Sequence, residues 1–186
     1  MVAAPRHRRY IIAMTKTDAG APLVWTIPIA ILAASAGSLA MAFAAQYLFG
    51  LDPCILCLYQ RIPYAIAAVL AAGALVAPTR GRLRPGLVAL CAVVFFAGAG
   101  LAFYHVGVEH HWWGSFAACG GTAVTDLTLD DLKAQLEGGI MPTKPCDQVD
   151  WELFGLSLAG YNGIASLVLG VACLVGARLV RRGARS

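Results

Sequence analysis

Charged residues are scarce in this chain of 186 residues: only 13% are Asp, Glu, Lys or Arg, whereas an ordinary soluble domain has about 25%. Hydrophobic residues make up 59% of the sequence, which leaves too little polar surface to cover a water-soluble fold. The sequence also lacks a basic stripe interleaved with aromatic residues, and this argues against nucleic-acid binding. The composition therefore predicts an integral membrane protein.

The hydrophobic residues are gathered into four long runs rather than spread at amphipathic spacing. The runs cover 23–50, 55–77, 86–106 and 156–180. Each approaches or exceeds the roughly 20 residues that an α-helix needs to cross a bilayer. The first run is too long for a signal-peptide core and has no clean cleavage site, so we expect it to stay in the membrane. The predicted fold class is an all-α, four-helix transmembrane bundle.

Basic residues are divided unevenly between the two sides of such a bundle. One side holds 11 of the 14 Lys and Arg residues, and the other holds only Arg61, Lys133 and Lys144. Because basic loops stay in the cytoplasm, both termini are predicted to be cytoplasmic. The predicted organisation is a tail at 1–22, a four-helix domain at 23–180 with a long outer loop at about 107–155, and a tail at 181–186.

The long outer loop contains one amphipathic segment, "TLDDLKAQLEGG". Its leucines recur at helical spacing, Thr128 is a plausible N-cap and Gly138 a stop, so a short helix is predicted. That helix either lies on the membrane surface with its leucines inward or packs as a solvated helix on the rest of the loop.

The six cysteines form two groups on this topology. Two of them, Cys91 and Cys173, lie inside predicted helices and are interpreted as buried packing residues. The others lie on the outer side, where disulfides form and persist. These four outer cysteines are Cys54, Cys57, Cys119 and Cys146.

Cys54 and Cys57 form a C-x-x-C motif in "DPCILCLYQR", at the start of the second run. This spacing is typical of a reactive dithiol, since the positive end of a helix dipole favours a thiolate. At helical spacing Arg61 shares a face with both cysteines. Ionisable residues inside membrane helices usually serve a function, so Arg61 is predicted to stabilise a Cys57 thiolate, to bind an oxygen of a membrane-soluble acceptor, or both. Snorkelling to the interface is the alternative.

Metal and haem chemistry fit the cysteine spacing less well. A Cys₄ zinc site calls for a second close pair, but Cys119 and Cys146 are 27 residues apart. Haem attachment requires C-x-x-C-H, and residue 58 is leucine. No metal ligand is therefore predicted.

Four predicted helices together with "CILCLYQR", "SFAAC", "KPC" and "WELFGLSL" resemble the disulfide bond formation protein B (DsbB) family of quinone-dependent thiol oxidases. The likeness covers about 23–180. It implies a protein of the bacterial inner membrane, with its active cysteines on the periplasmic side. It also implies a periplasmic DsbA-like thioredoxin-fold partner, and ubiquinone or menaquinone as the cofactor.

The resemblance implies a role for each outer cysteine. The partner attacks a Cys119–Cys146 disulfide at Cys119, and Cys146 then attacks Cys54. The thiolate of Cys57 passes two electrons to a quinone, which restores the Cys54–Cys57 disulfide. A loop pair suits a bulky soluble partner, while a helix-end pair suits an oxidant dissolved in lipid.

The resemblance also implies two quinone-associated residues, an arginine and a histidine. Arg61 matches the arginine, and "YHVGVEHHWW" offers His105, His110 and His111 for the histidine. His105 lies nearest the membrane and is the one predicted to bind the cofactor. Glu109 is interpreted as a solvated carboxylate rather than a partner of Arg61.

Two other classes of function stay compatible with these residues. One uses the dithiols in a quinone reductase of the vitamin-K-epoxide type, or in a conduit of reducing power for which Cys91 and Cys173 are the candidates. The other is a non-enzymatic membrane scaffold with permanent disulfides. Tyr161 and Asn162, inside the fourth run, are interpreted as helix contacts rather than ligands.

Overall fold

The computed structural model describes residues 21–79, 81–114, 145–147, 149 and 151–183. In these ranges the helices are α1 Ala21–Tyr47, α2 Ile55–Tyr59, α3 Arg61–Val76, α4 Leu83–Glu109 and α5 Leu158–Gly183. A short antiparallel hairpin of β1 Glu152–Leu153 and β2 Leu156–Ser157 leads into α5. The predicted amphipathic helix of the outer loop and Cys119 lie outside the described residues.

Four segments are long and apolar enough to cross a membrane: Leu23–Tyr47, Ile55–Val76, Leu83–Glu109 and Leu158–Gly183. The predicted four-helix membrane architecture is thereby confirmed. The third span extends beyond the predicted 86–106 at both ends. Hydropathy left Arg84 and Glu109 out of the predicted span because they are charged, but both side chains are buried. Arg84 at one end donates hydrogen bonds to the carbonyls of Val24, Leu75 and Ala77 and lies over the ring of Trp25.

The bundle is held together by small residues and a few large apolar side chains. Helix α4 packs most extensively on α5, while α3 contacts α1 and α4. On α3 the residues Ala67, Ala71 and Ala74 are fully buried, which allows neighbouring backbones to approach closely. Cys91 and Cys173 are buried in the same core as Phe95. Their predicted role as packing residues is confirmed.

Residues 55–76 form one membrane span that is divided into α2 and α3 at Gln60. Pro63 has no backbone N–H to donate to the carbonyl of residue 59, so regular helical bonding cannot run through this turn. Helix α4 passes close by at Gly98, where an added Cβ would lie 3.1 Å from Pro63 Cβ. This close approach brings the end of α4 that carries His105 beside Gln60.

Candidate active site at the start of the second membrane span

The cysteine pair is built around the N-terminus of α2. Cys54 is the N-cap residue, with an extended backbone, and its Sγ accepts a hydrogen bond from the Cys57 backbone N–H at 3.3 Å. The two Sγ atoms lie 3.1 Å apart, with the Cys54 thiol as the donor. This bond, together with burial, raises the pKa of Cys54 to about 12. Cys54 is therefore protonated at neutral pH in the reduced pair.

Cys146 lies in the same apolar cluster as the pair. It is buried together with Cys54, Leu56 and Val108, and Cys57 packs against this cluster. The structure thus brings together three of the four cysteines predicted to be catalytic. The fourth, Cys119, lies outside the described residues.

His105 reaches the pair from α4, where it is almost completely buried. Its Nε2 lies 3.6 Å from Cys54 Sγ, and its Nδ1 lies 2.7 Å from Gln60 Nε2. The predicted quinone-associated histidine is therefore a direct neighbour of Cys54. The other two candidates lie elsewhere: His110 stacks on Trp112, and the His111 side chain is 73% exposed.

Glu109 is a buried member of the site, and its interpretation as a solvated carboxylate is wrong. Its side chain is only 7% exposed, and its Oε1 lies 3.8 Å from His105 Nε2. Its other oxygen accepts a hydrogen bond from Ser157 Oγ at the end of β2. Ser157 lies 48 residues further along the chain, so sequence spacing could not reveal this partner.

A row of polar side chains continues from His105 across the bundle. Asn162 on α5 donates from Nδ2 to Gln60 Oε1, and the Tyr64 hydroxyl donates to Asn162 Oδ1 at 2.6 Å. The interpretation of Asn162 as a helix contact is confirmed. Sequence reasoning missed Gln60 and Tyr64 as site residues; the signal was a glutamine that interrupts an apolar run, with a tyrosine one turn later.

A cavity of about 480 Å³ lies between α1, α3 and the start of α5, and the side chains of this polar row, except His105, also line it. Cys57 and Arg61 both line it, and small apolar residues of α1 such as Ala42 and Ala45 form much of its wall. The guanidinium of Arg61 donates from Nη1 to Gln46 Oε1 at 2.8 Å and lies 5.0 Å from the ring centre of Phe43. Its position is thus fixed at the cavity wall.

Cys54, Cys57 and Arg61 were predicted to share one helical face, but their side chains lie in two different environments. Cys57 and Arg61 line the cavity, whereas Cys54 contacts His105. Neither Cys54 nor His105 is among the described residues that line the cavity. The reason is that Cys54 is an N-cap with extended backbone, so helical periodicity does not apply to its side chain.

The pair and the histidine also have the donor atoms of a soft-metal site. The sulfur atoms of Cys54 and Cys57 and a ring nitrogen of His105 lie within 4.8 Å of one another. Thiolate and imidazole are the ligands that zinc prefers. The sequence did not predict this set, because its third member comes from a different helix.

Comparison with known proteins identifies the family. A model of the family described as "Disulfide bond formation protein DsbB" matches residues 25–176. The chain belongs to the DsbB family. Disulfide bond formation protein B of Methylobacillus flagellatus is 32% identical over 140 residues, which is 74% of this chain and 83% of that protein. The protein of the same name from Xanthomonas axonopodis pv. citri is 31% identical over 154 residues, covering 80% and 87%. No solved structure matches the chain.

Membership of the DsbB family establishes the general activity of the protein. The protein is a multi-pass membrane oxidoreductase that acts in disulfide bond formation. The recognition made from "CILCLYQR" and the loop cysteines is confirmed by the family match. A purely structural scaffold does not agree with this membership.

Proposed function

We propose that this DsbB-family protein re-oxidises the dithiol of a periplasmic DsbA-like thioredoxin-fold protein and passes the electrons through two cysteine pairs to a membrane quinone. The observation that carries the proposal is that Cys57 and Arg61 line the same apolar cavity, while Cys146 packs in the cluster that holds Cys54. One sulfur of the pair thus faces a ligand-sized cavity, and the other lies beside a cysteine of the long loop.

The cavity fits a flat apolar ring that carries carbonyl oxygens. Its volume of about 480 Å³ falls within the roughly 300–1,000 Å³ of small-molecule pockets. Its wall is mostly apolar, and its cation, Arg61, has N–H donors suited to a carbonyl oxygen. A quinone bound there supplies an acceptor of two electrons and two protons. Gln46 holds Arg61 at the wall, and Cys57 presents its sulfur to the same space.

The donor side of the reaction is assigned to the loop pair Cys119 and Cys146. Thiol–disulfide exchange proceeds by attack of a thiolate on a sulfur and through a mixed disulfide, so the two pairs must come into contact. The burial of Cys146 beside Cys54 supports transfer between them. The orientation with these cysteines on the periplasmic side is supported by Arg181 and Arg182 in the last turn of α5.

The partner step is tested with a DsbA-like protein that retains only its attacking cysteine. Incubated in reduced form with the wild-type protein, it should form a covalent mixed disulfide that is visible on a non-reducing gel. Cys119→Ala should abolish the adduct, because the attacked disulfide cannot form. Cys173→Ala, which changes a buried packing cysteine, is the matched control and should keep it. An adduct of equal yield in Cys119→Ala would contradict the assignment.

A further inference from the structure

Four polar side chains from different parts of the bundle, three of them buried and Asn162 half-buried, form a hydrogen-bonded chain with a defined direction. The Tyr64 O–H donates to Asn162 Oδ1, and Asn162 Nδ2 donates to Gln60 Oε1. The remaining polar atom of Gln60 is its amide nitrogen, which faces His105 Nδ1 at 2.7 Å. Buried polar groups inside a membrane span are costly unless they are paired, and here each satisfies the next.

The direction of this chain determines the tautomer of His105. An amide nitrogen donates hydrogen bonds and does not accept them, so Gln60 Nε2 can only donate to Nδ1. Nδ1 therefore carries a lone pair, and in the neutral ring the proton is on Nε2.

The neighbours of Nε2, on the opposite edge of the ring, favour the same tautomer by a separate argument. His105 Nε2 lies 3.6 Å from Cys54 Sγ and 3.8 Å from Glu109 Oε1. A sulfur that is leaving as a thiolate and a carboxyl oxygen both accept hydrogen bonds. Among the described residues, the titratable groups beside the ring and its neighbouring sulfur are Glu109, Cys54, Cys57 and Cys146. An N–H at Nε2 is the arrangement that satisfies both edges.

We propose that Gln60, held by Asn162 and Tyr64, is a positioning residue that keeps His105 in the Nε2–H tautomer, so that His105 donates a hydrogen bond to the sulfur of Cys54 when it leaves a disulfide. This inference rests on the proposed function, in which Cys54 forms a transient disulfide with Cys146. It adds a residue that acts on Cys54 through the histidine.

The step that the hydrogen bond assists is a thiol–disulfide exchange. In the proposed relay the thiolate of Cys119, set free when the oxidised partner departs, attacks Cys146 of the Cys54–Cys146 disulfide and forms the Cys119–Cys146 bond. The Cys54–Cys146 bond breaks, and its electron pair stays on Cys54 as a thiolate. No proton is transferred. Because a better-stabilised thiolate leaves faster, donation from Nε2–H accelerates the release of Cys54.

The tautomer is measured first, by NMR of the reduced protein with ¹⁵N-labelled histidine rings. The chain has four histidines, and His105→Asn identifies the signals of His105. The expected result is a protonated Nε2 and an unprotonated Nδ1. Gln60→Glu has the same shape but offers Nδ1 an acceptor, so both ring nitrogens should become protonated. A wild-type His105 with its proton on Nδ1, or unchanged signals in Gln60→Glu, would overturn the proposal.

The exchange rate is measured next, without quinone, in a Cys57→Ser background that retains the Cys54–Cys146 disulfide. A small thiol opens this disulfide, and mass spectrometry after alkylation follows the appearance of the Cys54 thiol. Gln60→Leu should slow its release about tenfold, the lower end of the range for loss of a histidine's outer partner in metal sites. Gln60→Glu should restore the rate, because an imidazolium still donates from Nε2.

Tyr59→Leu is the matched control, since it changes a 40% exposed neighbour of Gln60 in the same turn. It should release Cys54 at the rate of the background protein. Equal rates in Gln60→Leu and Tyr59→Leu would refute the positioning role. A background protein that forms no Cys54–Cys146 disulfide would instead contradict the proposed relay, and the NMR result would still decide the tautomer.

Discussion

Replacing Arg61 by methionine should impair the use of quinone without impairing the use of the protein partner. The guanidinium has five N–H donors, and one of its nitrogens, Nη1, is held by Gln46 at the cavity wall. A hydrogen bond from a charged group to a ligand oxygen contributes about 1.5–3 kcal/mol. Since each 1.4 kcal/mol is about a tenfold change in affinity, Arg61→Met should raise the apparent KM for quinone about 10- to 100-fold. Methionine retains an unbranched apolar stem that can pack against Phe43.

The assay is steady-state quinone reduction under anaerobic conditions, with quinone and reduced partner varied in turn. The apparent KM for the partner should stay at the wild-type value, because Arg61 lines the cavity and not the cysteine cluster of Cys146. Arg182→Met makes the same change at an exposed position in the last turn of α5 and serves as the control. An unchanged KM for quinone in Arg61→Met would refute the assignment of Arg61 to the acceptor site.

Three further predictions follow from the contacts of the site and the core. Tyr64→Phe removes a buried hydroxyl that hydrogen-bonds two side chains, so denaturant titration in detergent should show a loss of about 1–2 kcal/mol in the free energy of unfolding; an unchanged midpoint would contradict this. Cys57→Ala removes the main cause that raises the pKa of Cys54 to about 12, so the Cys54 pKa should fall and iodoacetamide should alkylate Cys54 faster at pH 9 than in the reduced wild type; slower alkylation would be inconsistent with this hydrogen bond. The double variant Cys91→Ala and Cys173→Ala should reduce quinone at the wild-type rate, because both residues are buried in the core cluster and not in the cluster of Cys54 and Cys146; a loss of turnover in a folded variant would support a conduit through them.

Hydropathy was sufficient to predict the four spans, because the thickness of a bilayer imposes a minimum length on each apolar run. It failed at the ends of α4, where charged residues are buried. Arg84 is stabilised there by carbonyl groups of two other segments, and Glu109 by Ser157 at the end of β2. These partners are brought together only by the packing of helices, so a local pattern cannot reveal them.

The candidate site was predictable where its residues are close in sequence. Cys54, Cys57 and Arg61 lie within one short motif, and this motif alone predicted them as site residues. Their division between the cavity and His105 was not predictable, since it depends on the N-cap conformation of Cys54 and on the approach of α4. Gln60 was missed for the same reason, because its partners come from two other helices.

The most direct test of the proposed oxidase is optical measurement of quinone reduction by the purified protein, given a reduced DsbA-type partner in the absence of oxygen. Wild type should turn over many equivalents of quinone, and Cys57→Ser should turn over none, because its cavity no longer presents a sulfur. Equal turnover in Cys57→Ser, or no turnover in wild type with either ubiquinone or menaquinone, would contradict electron transfer from this cysteine pair to a quinone.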